Sequence, residues 1–150
     1  MLIPRLPTTP ISTDSGYSMT MADMNLSLRI PIPFFADAML GKLARWLRIL
    51  GYDTAYERAV SDEIVVDRTL RESRWLLTRD GYLVKRKALR GRHTLLTSDH
   101  PAEQLQQLRR ELRIDLTVDA STESRCPICN LILESIPCAD AAKLVPAFVA

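Results

Sequence analysis

Leu76-Leu77-Thr78-Arg79-Asp80 returns further along the chain as Leu95-Leu96-Thr97-Ser98-Asp99. Each copy reads as a short buried strand that ends in a hydroxyl and then a carboxylate. A third run, Ile32-Pro33-Phe34-Phe35-Ala36, also stops on a carboxylate, Asp37. If the three strands lie parallel in one sheet, their carboxylates emerge at one edge. That edge, outside the carboxyl ends of the strands, is where open α/β sheets bind ligands. Gathered acids repel one another and favour protonation. A divalent cation relieves that repulsion, so the pattern points to a metal site.

The segments around the repeat extend the pattern into β-α-β-α-β-α-β-α. A first strand is expected over Arg29–Ala36. Pro31 and Pro33 cannot donate to a central ladder, which narrows its pairing part to Phe34–Ala36. Met39, Leu40, Leu43, Ala44, Trp46, Leu47 and Leu50 recur at helical spacing, and Gly51 is a natural stop. Asp53–Tyr56 reads as the second strand. Ser61 is a suitable N-cap for a helix reaching Glu72, with Asp62 and Glu63 favoured in its first turn. Trp75–Thr78 is the third strand, Tyr82–Leu89 a short basic helix, and His93–Thr97 the fourth strand. Pro101 opens a helix to Leu112, and Ile114–Val118 is a candidate fifth strand. Trp46 and Trp75 lie within apolar patterns and read as core. The expected class is α/β: a three-layer α/β/α domain around a parallel sheet of four to five strands. It would occupy residues 29–118. Residues 1–28, rich in Pro, Ser, Thr and Met, read as a disordered extension. Residues 119–150 read as a short irregular tail.

The chain has 150 residues and is 47% apolar, enough for one domain with a real core. A net charge of +2 decides little by itself. Its distribution says more, because Arg79, Lys85, Arg86, Lys87, Arg90 and Arg92 crowd one stretch with a single acid, Asp80. A basic block beside an acidic cluster suits a polyanion approaching a metal; taken alone it is a solvated face. No run reaches the ~20 apolar residues that span a bilayer, and the first residues lack the apolar region of a secretory signal. No membrane partner and a cytoplasmic location are the default expectation.

Asp37, Asp80 and Asp99 follow strands, and Asp62 opens a helix after one. Aspartate there is also a common turn residue or N-cap, but the same relation to three strands favours a shared site. Four carboxylates suit one or two Mg²⁺ or Mn²⁺ ions, which can activate a water and stabilise the leaving oxygen of a phosphodiester. Thr78 and Thr97, each two residues before an acid, are candidates to hold a carboxylate or a water in place. Lys42, Arg45 and Arg48 run as a stripe along the first helix. With Arg79, Lys85, Arg86 and Lys87 they are candidate phosphate contacts, which position a strand without reading its sequence.

The stretch from Phe35 to Thr54, with Ser61-Asp62-Glu63, Leu76–Asp80 and Ser124-Arg125-Cys126-Pro127-Ile128-Cys129-Asn130, resembles the Mut-7 C-terminal RNase domain family, a branch of the PIN-like nucleases. The resemblance covers roughly residues 34–135. It implies a PIN-like fold and a metal-dependent ribonuclease acting on RNA, single-stranded or structured. Its acidic positions fall on Asp37, Asp62 and Asp80; Asp99 rests on the repeat alone. It also implies a C-terminal zinc ribbon. A structural zinc needs four ligands, whereas Cys126 and Cys129 form one knuckle and Cys138 does not match the second. No complete zinc site is expected from one chain. A catalytically inactive RNA- or partner-binding module of the same fold is the alternative. A homodimer is compatible with the sequence. A phosphoacceptor domain is disfavoured, because it needs paired acids after the first strand and a lysine after the last.

Overall fold

Four short strands form the sheet: β1 (Phe34–Ala36), β2 (Thr54–Tyr56), β3 (Trp75–Thr78) and β4 (His93–Leu95). Their order is β2-β1-β3-β4 and every pairing is parallel. The computed structural model describes residues 32–119, 122–137 and 140. The chain divides into two units, Met1–Ile30 and Pro31–Ala150. The extension expected at 1–28 and Cys138 lie outside the described residues.

Alternation along the strands builds two apolar layers. Phe34, Ala36 and Leu77 face one side, where they meet Leu40, Leu43, Leu47, Leu108 and Ile114. Phe35 and Leu76 face the other, with Val65, Leu83 and Leu89. Burial on both faces explains why these strands read as continuous apolar runs. α1 (Gly41–Ile49) and α3 (Pro101–Leu112) supply the first layer. α2 (Asp62–Arg71) and two 3-10 turns, Leu83–Lys85 and Lys87–Leu89, supply the second. The three-layer α/β/α architecture is thus as expected. No helix of the described residues is long and apolar enough to cross a membrane.

Several local expectations change. Ile114–Val118 forms no fifth strand. Ile114 is buried, and the Asp115 N–H donates to the Tyr52 hydroxyl at 2.7 Å, so a side chain holds this segment in place of a ladder. The basic helix breaks into two 3-10 turns because Arg86 is extended, at φ −65° and ψ 121°. Ser61 precedes α2 in extended conformation, but its side chain makes no cap bond. Trp46 is not core: Leu43, Ala44 and Leu47 fill the inward face of α1 and leave it 51% exposed. Trp75 is half-buried and donates its indole N–H to Thr94 Oγ1 at 2.9 Å.

α1 ends as its glycine predicts. Gly51 takes φ +89°, its N–H donates to Arg48 O, and the Tyr52 N–H donates to Leu47 O. This pair of bonds satisfies carbonyls that the helix cannot. Residues 124–133 then fold into a small hairpin, bridged at Arg125 and Ile132, and dock there. Ser124 Oγ donates to Ile49 O at 2.8 Å, and the Arg125 N–H to Arg48 O at 2.8 Å.

An ionic network closes the amino edge of the sheet. Arg74 donates to both oxygens of Asp53, at 3.0 and 3.3 Å, and to Glu72 at 2.6 Å. Glu72 also accepts from Arg68 at 2.9 Å. Burial pushes the Asp53 carboxyl up, but hydrogen bonds from Arg74 and Asn130 outweigh it and hold it below its ordinary value. Arg68 and then Arg74 do the same to Glu72. Depressed carboxyl pKa values stabilise the fold above the unfolded values, and that stabilisation fades as pH falls through the folded ones. The urea midpoint is therefore expected to drop between about pH 6 and pH 3, and less so in Asp53→Asn. Equal pH dependence in wild type and variant would refute this assignment.

Candidate active site at the carboxyl edge of the sheet

β1 and β3 are neighbours, yet their connections leave in opposite directions. β1 continues through α1, on one face, to β2; β3 continues through the 3-10 turns, on the other, to β4. The crevice between their carboxyl ends is the topological switch point, the usual ligand site of such sheets. Asp37 and Asp80 are the acids delivered to it.

Asp37 follows β1 and caps the 3-10 turn Ala38–Leu40, its Oδ1 accepting the Met39 N–H at 2.7 Å. Its Oδ2 accepts the Thr78 hydroxyl across the crevice and the Arg79 N–H at 3.4 Å. Asp37 is 7% exposed. Thr78, fully buried at the end of β3, accepts the Asp80 N–H at 2.9 Å. One hydroxyl thus links the two acidic segments. Asp80 turns its Oδ1 to the Tyr82 N–H at 2.7 Å. Tyr56, at the end of β2, braces the Asp37 turn by donating its hydroxyl to Ala38 O at 3.2 Å. Gly41 makes room for this contact: a Cβ there would lie 2.6 Å from that hydroxyl, and the Tyr56 ring would have to shift.

The other acids are held apart from this pair. Asp62, half-exposed, stands 3.6 Å from Arg86, which also reaches Glu63 at 3.2 Å. Asp99 is exposed beside His100, at 3.7 Å. Thr97 does not repeat the role of Thr78. Its N–H and hydroxyl both donate to Gln107 Oε1, at 3.1 and 3.3 Å. Among the described residues no three His, Cys, Asp or Glu side chains stand close enough to share one ion. The four aspartates are therefore not assembled as a ready four-ligand cage. A shallow hollow lined by Thr97, Ser98, Glu103, Gln107 and Arg110 contains none of them.

The basic residues also divide. Lys42, Arg45, Lys85 and Lys87 are exposed, and Arg79 is half-exposed beside Asp37. Arg48 corrects the expected phosphate stripe. It is 6% exposed and donates to Thr54 O, Pro127 O and Ile128 O, each at 2.9 Å. It clamps the hairpin, with Nε and Nη1 committed to backbone carbonyls. Arg86 is occupied by Asp62 and Glu63.

Cys126 and Cys129 sit in the turn of that hairpin, Cys129 exposed. The backbone N–H groups of Cys129 and Ile128 lower the Cys126 pKa, aided by the Cys129 thiol and by Arg48. Such a turn suits two ligands of a metal, and no further ligand joins them among the described residues. Asn130, in left-handed conformation at φ 69°, ties the hairpin to the sheet, a role that sequence reasoning missed. Its side chain accepts from Thr54 N at 3.1 Å and donates to Asp53 at 2.7 Å. The Cys-Pro-x-Cys-Asn spelling was its only signal.

The fold is thus a parallel α/β sheet with Asp37 and Asp80 at the carboxyl ends of two neighbouring strands. The chain belongs to the Mut7-C RNAse domain family, whose model matches residues 32–150. No curated protein and no solved structure matches it.

Proposed function

We propose that the chain is a Mg²⁺- or Mn²⁺-dependent ribonuclease that hydrolyses RNA phosphodiester bonds at the Asp37–Asp80 crevice. The observation that carries this is the linked path from the Asp80 N–H through the Thr78 hydroxyl to the Asp37 carboxylate. It fixes a buried carboxylate at the ligand-binding edge of the sheet, in a chain that belongs to a ribonuclease-domain family. Hard oxygen donors suit these cations, and Mg²⁺ is commonly held by only one or two carboxylates, completed by waters and substrate phosphates. Asp37 and Asp80 would hold the ion, with Asp62 and Asp99 as flanking acids. Such an ion supplies water activation and neutralisation of charge on the phosphate.

The protein's own residues do the rest. Three donors lock the Asp37 carboxylate, so it does not reorganise as substrate enters. Arg79 and Lys85 flank Asp80 in sequence and can hold phosphates on either side of the cut. Lys42 and Arg45 extend the same charge along α1. A second reading, an inactive RNA-binding module, draws support from the missing third ligand among the described residues. Incubating the protein with single-stranded and structured RNA in Mn²⁺ or EDTA, alongside Asp80→Asn, separates the two. Cleavage in Mn²⁺ that EDTA and Asp80→Asn both abolish is the expected result. Binding without cleavage would establish the second reading.

A further inference from the structure

Resting on the ribonuclease reading, we propose that Tyr82 is a stacking platform for an unpaired base of a single-stranded RNA. The ring is 81% exposed and belongs to neither apolar layer. A large aromatic side chain in water needs a reason when it stands two residues from a site acid. Its backbone is not loose: the Tyr82 N–H is fixed on Asp80 Oδ1, and its carbonyl accepts the Lys85 N–H at 3.2 Å. The ring is thus presented from a defined turn. Gly81 leaves room beside it, since a Cβ there would meet no atom within 4 Å.

Charge completes the subsite. The Lys85 ammonium lies over one face of the Tyr82 ring, 5.0 Å from its centre, so a base would take the other face with a cation close by for its phosphate. An aromatic face accepts any base, which makes such contacts tolerant of sequence. Bases in a duplex are already stacked on one another and cannot use it. The subsite therefore selects single strands, or the unpaired parts of structured RNA.

The test measures binding in EDTA, where cleavage does not interfere. The probes are a single-stranded oligonucleotide, the same strand with abasic residues, and a duplex. Tyr82→Ala is expected to weaken binding of the intact strand by roughly 5- to 150-fold, the range for one stacked base. Tyr82→Phe should bind as wild type does. On the abasic strand and the duplex, wild type and Tyr82→Ala should be equal. Equal affinity of Tyr82→Ala and wild type for the intact strand overturns the platform. So does an equal loss on the abasic strand, which marks a contact to the backbone. If wild type cleaves RNA in Mn²⁺ while Tyr82→Ala binds and cleaves unchanged, the platform falls and the ribonuclease stands. If wild type neither binds nor cleaves any RNA, both fall.

Discussion

Asp37→Asn is expected to slow RNA cleavage by roughly 10²- to 10³-fold, the scale for removing one preorganised electrostatic group. Three donors converge on this carboxylate, and it is almost wholly buried. Asparagine keeps the shape, and its oxygen can still accept the Met39 N–H. Its NH₂ group, however, replaces the oxygen that accepts from Thr78 and Arg79. Thr78 can accept from the amide, but its hydroxyl proton and the Arg79 N–H both lose their acceptor. Each orphaned donor costs about 1–3 kcal/mol, so the variant is expected to fold with reduced stability. Cleavage rates in Mn²⁺, measured beside a thermal melt, check both halves. A folded Asp37→Asn that cleaves as fast as wild type would move the chemistry elsewhere.

Arg48→Met is expected to lower stability by about 3 kcal/mol, because it strands carbonyls that a charged donor satisfied. Those acceptors are Thr54 O in β2 and Pro127 O and Ile128 O in the hairpin. Burial lowers the Arg48 pKa, offset by Cys126, Cys129 and Asp53. The guanidinium fork reaches two segments at once. Lysine cannot do so from one ammonium, and Arg48→Lys should rescue little. Urea denaturation gives the stability, and limited proteolysis reports release of residues 122–137. A phosphate-binding role predicts the reverse: unchanged stability, weaker RNA binding and rescue by lysine.

The repeat shows how far the sequence could be read. Both copies give strands of one sheet, with carboxylates following, and apolar runs between turn residues suffice for that. Their surroundings differ because β3 lies beside β1 whereas β4 lies at the rim. Identical letters therefore give Thr78 a carboxylate partner and Thr97 a glutamine. Strand order is a property of crossovers, which local periodicity does not encode. Arg48 and Trp46 exchanged their expected places for a related reason. Helical spacing set the inward face by Leu43, Ala44 and Leu47, but Arg48 was drawn inward by carbonyls near residue 127. Such a partner is invisible to any window along α1. Tyr82 was equally hidden, because exposure of one aromatic depends on how the turn after Asp80 closes.

The docked hairpin has a consequence for the sheet's open flank. β2 is a border strand, and such strands offer unpaired amides and carbonyls to any passing chain. Thr54 turns its backbone away from β1, yet neither of its polar groups is vacant. Asn130 takes the N–H and Arg48 takes the carbonyl. At Thr54, side chains thus stand in for a neighbouring strand and block β-augmentation at the start of this border.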